Sequence, residues 1–282
     1  MYCDCHIHML LSGGDWRGAI DRHRQAPDEP WIRTQLERYR AQGFTYLRDG
    51  GDRWGAGARA AQLAPEYGIV YKTPLAPIHR AGHYGGFIGK KYDSLPEYAA
   101  LVRENAENGA DFIKIMISGL MDFDCFGRLT EEGLPPAEIR ELVHIAHEEG
   151  FAVMAHANGA RTVQAAAEAG VDSVEHGAYL DREALCAMVE NGCVWVPTLS
   201  TIGNLRGTGR FREAAVAAIL DSAMQNAAEY AALGGLIAPG TDAGAFAVFH
   251  AGLTEYQLLH QALGTGWEQA LARGTAALQA KF

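Results

Sequence analysis

Two histidines separated by one residue, His6 and His8, lie in the opening stretch Tyr2-Cys3-Asp4-Cys5-His6-Ile7-His8. On a β-strand the side chains alternate, so these two imidazoles share one face while Cys5 and Ile7 take the other. Paired imidazoles on a rigid strand can grip a divalent ion, because neutral imidazole suits Zn, Fe and Ni. Such a triplet arises by chance in many chains, so its weight depends on further ligands. His156 closes the apolar stretch Ala152-Val153-Met154-Ala155-His156, His176 closes Val171 to His176, and Asp242 follows Leu236 to Thr241. Each has an ordinary alternative: a histidine at a strand end is commonly a hydrogen-bonded rim or core residue, and Asp242 could cap a turn or helix.

Lys114, flanked by Phe112, Ile113, Ile115 and Met116, carries different chemistry. An ammonium inside an apolar strand must find a partner or lose its charge. A neutral lysine amine reacts with carbon dioxide to give a carbamate, whose two oxygens can bridge two cations. The alternative is a lysine that extends its amine to the rim.

The elements that must position these residues alternate along the chain. Strands are expected at Tyr2–His8, Thr45–Arg48, Ile69–Ala76, Asp111–Met116, Ala152–His156, Val171–His176, Val194–Thr198 and Leu236–Thr241. Helices are expected at Trp31–Gln42, Ala56–Glu66, Leu95–Asn108, Pro135–Glu149, Ala160–Ala169, Asp181–Asn191 and Phe211–Leu233, with two more between Leu253 and Ala277. A Gly/Asp/Arg loop follows the first strand, and His79 to Lys91 reads as a long loop. Strands alternating with helices imply a parallel sheet. Eight such units in roughly 250 residues is the size of a TIM (β/α)8 barrel, so residues 1–282 are expected to form a single eight-stranded α/β barrel domain. An open doubly wound sheet is the competitor, but no G-x-G-x-x-G follows the first strand. Barrel sites lie at the C-terminal ends of strands, where the first, fifth, sixth and eighth strands all place ligand-type residues.

The flanking words Gly109-Ala110-Asp111-Phe112-Ile113-Lys114-Ile115, Ala155-His156-Ala157, Val174-Glu175-His176-Gly177 and Pro239-Gly240-Thr241-Asp242 resemble the amidohydrolase superfamily of metal-dependent hydrolases, in its imidazolonepropionase- and prolidase-like branch. The resemblance covers essentially the whole chain. It implies a binuclear centre in which His6 and His8 hold the more buried ion with Asp242, and His156 and His176 the outer one. N6-carboxylysine at Lys114 would bridge two divalent ions, zinc first, with Mn, Fe or Ni as alternatives. Relatives in this branch usually add a small β-sandwich from segments before the first strand and after the last helix. Here the first strand begins at residue 2 and the chain stops at Phe282, so no sandwich is expected, and the apolar face left uncovered allows a homo-oligomer.

On such a centre a metal-bridging hydroxide would attack the substrate carbonyl carbon and the C–N bond would break, with Asp242 as general base and then acid. The loop after the third strand offers His79, His83 and Tyr84. The resemblance points to His83 or His79 as the histidine that helps polarise the substrate carbonyl. Arg128 and Tyr179 could clamp a carboxylate, and His250 follows the eighth strand. Asp4, on the face of His6, and Asp49 are candidates for orienting ligands. His23, His144, His147 and His260 read as solvated or packed residues.

Composition bounds the rest. A formal charge of −10 argues against nucleic acid as a partner. No apolar run reaches the ~18–20 residues needed to span a bilayer, and the start shows no basic segment before an apolar core. Five cysteines without a framework spacing favour reduced thiols and a cytoplasmic setting. A small-molecule substrate is expected, an amide or cyclic amide. A lactonase or esterase on the same centre, and a non-catalytic metal-binding barrel, are the alternatives.

Overall fold

A computed structural model describes residues 1–282. The chain runs β1 (Tyr2–Ile7), α1 (Trp16–His23), α2 (Glu29–Gln42), β2 (Phe44–Asp49), α3 (Ala56–Leu63), β3 (Val70–Lys72), β4 (Ile78–Arg80), β5 (Lys90–Tyr92), α4 (Leu95–Glu107) and β6 (Ile113–Met116). It continues with α5 (Pro136–Glu148), β7 (Val153–Ala157), α6 (Ala160–Glu168), β8 (Ser173–His176), α7 (Arg182–Glu190), β9 (Val194–Val196), α8 (Ser200–Gly203), α9 (Glu213–Ala232), β10 (Leu236–Ile237), α10 (Thr254–Leu263) and α11 (Trp267–Lys281).

Two parallel sheets result, ordered β1-β2-β3 and β10-β9-β8-β7-β6-β4-β5, in a TIM-barrel-like α/β arrangement. Backbone hydrogen bonds link their edges. The Cys5 N–H donates to Pro239 O at 2.8 Å, and the Asp242 N–H donates to His6 O at 2.7 Å. On the other side the Asp111 N–H donates to Thr73 O at 2.9 Å.

The third strand departs from the expected run over Ile69–Ala76. It stops at Lys72 and resumes as β4 at Ile78, whose next two residues lie in the stretch read as a loop. Pro74 and Pro77 lie in the gap, and proline has no N–H to donate to a ladder. Helix α1 was expected as loop. It is short and charged, and Asp15 starts it by accepting the Arg17 N–H. The eighth strand is regular for only two residues, although its continuation to Ala243 still bonds to β1.

Alternation sorts the two faces of the long sheet. On β7, Val153, Ala155 and Ala157 pack with the helices in the largest apolar cluster, as does Val174 on β8. Their neighbours Met154, His156, Ser173 and Glu175 take the other face. Below that polar layer, Phe112 meets Phe282 edge-on at 5.2 Å, in a cluster that includes Cys5, Met154 and Val196. The chemistry-bearing side chains therefore rest on an apolar floor. All five cysteines are free thiols, and no helix is long and apolar enough to cross a membrane.

Candidate metal centre

His6 and His8 leave β1 on one face, and Asp242 reaches the same point from the segment beyond β10. His6 Nε2 lies 3.4 Å from His8 Nε2, and Asp242 Oδ1 lies 3.6 and 3.5 Å from the two nitrogens. The centre of a triangle of that size is about 2.0 Å from each corner, which is the Zn–N and Zn–O bond length. Burial, with the nearby Lys114 amine, holds the His8 imidazole down at about 3 and His6 well below the usual histidine range. Both are therefore neutral, the form that binds metal. Burial pushes the Asp242 carboxyl up to about 7, against the pull of the nearby Lys114 amine. The donor set fits a divalent cation.

Lys114 stands beside this triangle on β6, only 1% exposed, and its Nζ has no hydrogen-bond partner. Burial lowers its pKa to about 8. A neutral amine is thus accessible near physiological pH, as carbamate formation requires. His156 and His176 complete the group. Their rings lie 4.6 Å apart, and the His176 ring is 5.1 Å from that of His6. His156 Nε2 donates to Gly119 O at 3.2 Å, which leaves Nδ1 with a free lone pair. His176 Nδ1 pairs with Thr198 Oγ1 at 2.7 Å, which leaves Nε2. Burial, then Lys114, also holds His156 at about 3.

Backbone conformation explains how His176 joins. It follows Glu175, so strict alternation would send it to the helix side. His176 instead has φ 68°, in the left-handed region, as do Thr198 at 49° and Asp242 at 58°. That conformation costs an L-residue about 1–2 kcal/mol. At His176 and Asp242 it turns the side chain back over the strand ends.

Sequence reasoning passed over Glu175, Arg48 and Asn158, whereas Asp4 and Asp49 were expected to orient ligands. Glu175 Oε2 accepts from His6 Nδ1 at 2.8 Å, while Arg48 Nη2 donates to Glu175 Oε1 at 2.7 Å. Asn158 accepts the Ala178 N–H and donates to Gly119 O, tying together the segments after β6, β7 and β8. Asp4 accepts from Thr241 and His6 backbone groups rather than from an imidazole. Asp49 accepts the Met9 N–H at 3.2 Å.

The six ligand-type residues line a cavity of about 700 Å³. Tyr84 lines it too, its ring 4.8 Å from that of His156. The outer wall carries Trp16, Phe87, Phe211 and Phe246, with Arg210 as its one guanidinium, 3.9 Å over the Phe246 ring. Five residues expected at substrate lie outside these walls. His79 Nδ1 donates to Arg80 O, and His83 faces Glu131 at 3.8 Å. Arg128 is 70% exposed beside Asp122, and Tyr179 packs on Phe126 at 5.3 Å. His250 uses both ring nitrogens, one on Leu11 O at 2.8 Å and the other on Tyr39 Oη at 3.1 Å, which makes it a packing residue.

The model of the amidohydrolase family matches residues 4–249. The chain belongs to the amidohydrolase family. This family generally uses divalent metal ions. Among curated proteins, this amidohydrolase is similar to the ochratoxinase of Aspergillus niger, 28% identical over 277 residues that span 85% of this chain and 56% of that protein. The chain thus spans about half the length of the curated relatives it matches. Among solved structures it is similar to a Xaa-Pro dipeptidase with bound methionine, with TM-score 0.78 and 23% identity over 99% of this chain and 75% of that one. It is also similar to a prolidase complexed with N-methylphosphonate-L-proline, with TM-score 0.78 and 25% identity over 99% and 73%. The A. niger ochratoxinase structure matches at TM-score 0.78 and 23% identity, over 99% and 70%.

Proposed function

We propose that this amidohydrolase uses two divalent metal ions to hydrolyse the amide or peptide-like C–N bond of a small molecule. The observation that carries the reading is the convergence of His6, His8 and Asp242 on one metal-sized triangle beside an unpartnered, buried Lys114. His6, His8 and Asp242 would hold one ion and His156 and His176 the other. Lys114 would lie between them as N6-carboxylysine, its neutral amine having taken up carbon dioxide and released a proton. The imidazole-rich donor set suits zinc first, with Mn, Fe and Ni as alternatives. We read the two sheets as the staves of one eight-stranded barrel over residues 1–282, joined through the Cys5–Pro239 and Thr73–Asp111 backbone bonds.

Bound ions at such a site make water ionisable at neutral pH and polarise a carbonyl. The protein does the rest. Asp242 takes the proton of the attacking water and delivers it to the leaving nitrogen, as general base and then acid. Tyr84, on the wall beside His156, takes the place expected of His83 in facing the substrate. Burial pushes its phenol well above the usual range, so the hydroxyl stays protonated and can donate.

The walls favour an amide with a bulky apolar or aromatic group and a free carboxylate. Trp16, Phe87, Phe211 and Phe246 offer ring faces, and Arg210 offers a planar fork that matches a carboxylate. The names of the similar structures, dipeptidase and prolidase, point to the same bond.

The reading is tested with a panel of N-acyl amino acids, dipeptides and matched lactones. Faster turnover of amides than lactones, with Asp242→Asn lowering kcat about 10²–10⁴-fold, supports it. A preference for lactones moves the assignment to an esterase. Zinc binding without turnover of either class leaves a non-catalytic barrel.

A further inference from the structure

Arg48 is fully buried in β2, where it follows the largely apolar run Phe44-Thr45-Tyr46-Leu47. Its Nε donates to Cys5 O at 2.7 Å, Nη1 to Ser173 Oγ at 2.9 Å and Nη2 to Glu175 Oε1 at 2.7 Å. Its guanidinium also stacks over the ring of Phe282 at 4.5 Å. Glu175 is fully buried as well. Its Oε1 accepts the Ser173 hydroxyl at 2.6 Å, and its Oε2 is 2.8 Å from His6 Nδ1. A buried ion pair adds little to stability over an apolar pair of the same volume, so the fold alone does not call for this one. All of its bonds converge on the orientation of a single imidazole.

We propose that Arg48 and Glu175 are positioning residues that fix the tautomer and rotation of His6. The Glu175 carboxylate, paired with a guanidinium that is always charged, can only accept a hydrogen bond. His6 must therefore carry its proton on Nδ1, and its Nε2 lone pair points at His8 and Asp242. A ring flip would break the bond to Glu175 and turn a C–H toward the triangle, and the other tautomer would place an N–H there. Ser173 and the Cys5 carbonyl hold Arg48 itself, so β1, β2 and β8 together aim one nitrogen. Outer partners of this kind orient a ligand and raise its basicity. The left-handed turn at His176 belongs to the same design. It lets Glu175 face inward to His6 while the next residue also reaches the site.

The proposal rests on His6 being a metal ligand, and its first test is independent of metal. Long-range ¹⁵N–¹H NMR of the metal-free protein reads the tautomer of each histidine. A His6 proton on Nδ1, shifted downfield by its hydrogen bond, is expected, and a proton on Nε2 overturns the proposal. The second test titrates zinc alone against a competing chelator. Replacing both charges, Arg48→Met with Glu175→Leu, keeps the buried volume close to that of the native pair. It is expected to weaken the tighter zinc site about 10–100-fold in a protein that still folds, with a lowered melting temperature because the buried Ser173 hydroxyl and His6 Nδ1–H lose their acceptor. Unchanged zinc affinity in the folded double variant overturns the positioning role. The wild-type titration is read first, because a wild type that binds no zinc defeats the metal reading itself and this proposal with it. Should the double variant not fold, the wild-type tautomer decides the question.

Discussion

Asp4 and Thr241 meet across the join between β1 and the segment after β10. Asp4 Oδ1 accepts the Thr241 N–H at 2.8 Å, and Oδ2 accepts its hydroxyl at 2.6 Å. The Thr241 hydroxyl oxygen accepts in turn from the Ala243 N–H at 3.0 Å. Residue 242 is thereby held in its left-handed turn from both sides. One strand face thus supplies two imidazoles through His6 and His8, and the anchor for the carboxylate that completes their set through Asp4.

Asp4→Ala removes the acceptor of three buried donors, the Thr241 N–H and hydroxyl and the His6 N–H. Each orphaned group costs about 1–3 kcal/mol, so urea unfolding should show a loss in that range or above. Zinc affinity should fall too, because the Asp242 turn is released. A variant that loses stability with unchanged zinc affinity would separate the clamp from the site.

Lys114→Met fills the volume without an amine. Metal content should fall from about two ions per chain to about one or fewer, and the carbamate carbon should vanish from ¹³C spectra of protein equilibrated with labelled bicarbonate. Two ions retained in Lys114→Met would mean that no bridging group is needed.

Arg210→Ala leaves the metal ligands untouched. If its guanidinium pairs with a substrate carboxylate, a charge-assisted bond worth about 1.5–3 kcal/mol is lost. That corresponds to a fall of about 10–100-fold in kcat/KM, mostly in KM, for free acids. Their carboxamide analogues should change little. Equal effects on both series would place Arg210 outside the substrate contact.

Glu255 gives a pH dependence distinct from catalysis. It is fully buried, accepts the Ser200 N–H and hydroxyl at 2.7 Å, and keeps Oε1 without a partner. Burial pushes its carboxyl up to about 8, against 4.5 in the unfolded chain. Between these values the folded state holds a proton that the unfolded state has released. Its contribution is thus complete below 4.5 and is lost as pH rises to 8, by up to about 1.4 kcal/mol per pH unit. Glu255→Gln carries no such proton. Its melting temperature should gain on wild type as pH rises from 5 to 8.5, and parallel curves would refute the assignment.

The proposed metal ligands are legible in the sequence because ligand chemistry and strand position coincide. His6, His8 and His156 follow period-two alternation, and Lys114 is conspicuous in Phe112-Ile113-Lys114-Ile115-Met116. Glu175 was hidden by the same rule. Beside His176 it reads as facing the other way, and only the left-handed backbone lets both point inward. Arg48 was hidden because its partners come from strands far along the chain. His79, His83, Arg128, Tyr179 and His250 lie in or beside loops, where no period fixes a direction, so only side-chain type and, for His79 and His83, the family resemblance suggested them. The interrupted third strand was legible in Pro74 and Pro77 but read as continuous, because the apolar residues around them persist.

The most direct test of the account is turnover as a function of metal equivalents. Metal-free protein, kept with bicarbonate, is titrated with zinc while hydrolysis of the best amide of the panel is followed. The account predicts activity that rises to a plateau at about two zinc ions per chain and is abolished again by chelator. No activity at any loading, or full activity in the metal-free protein, would contradict it.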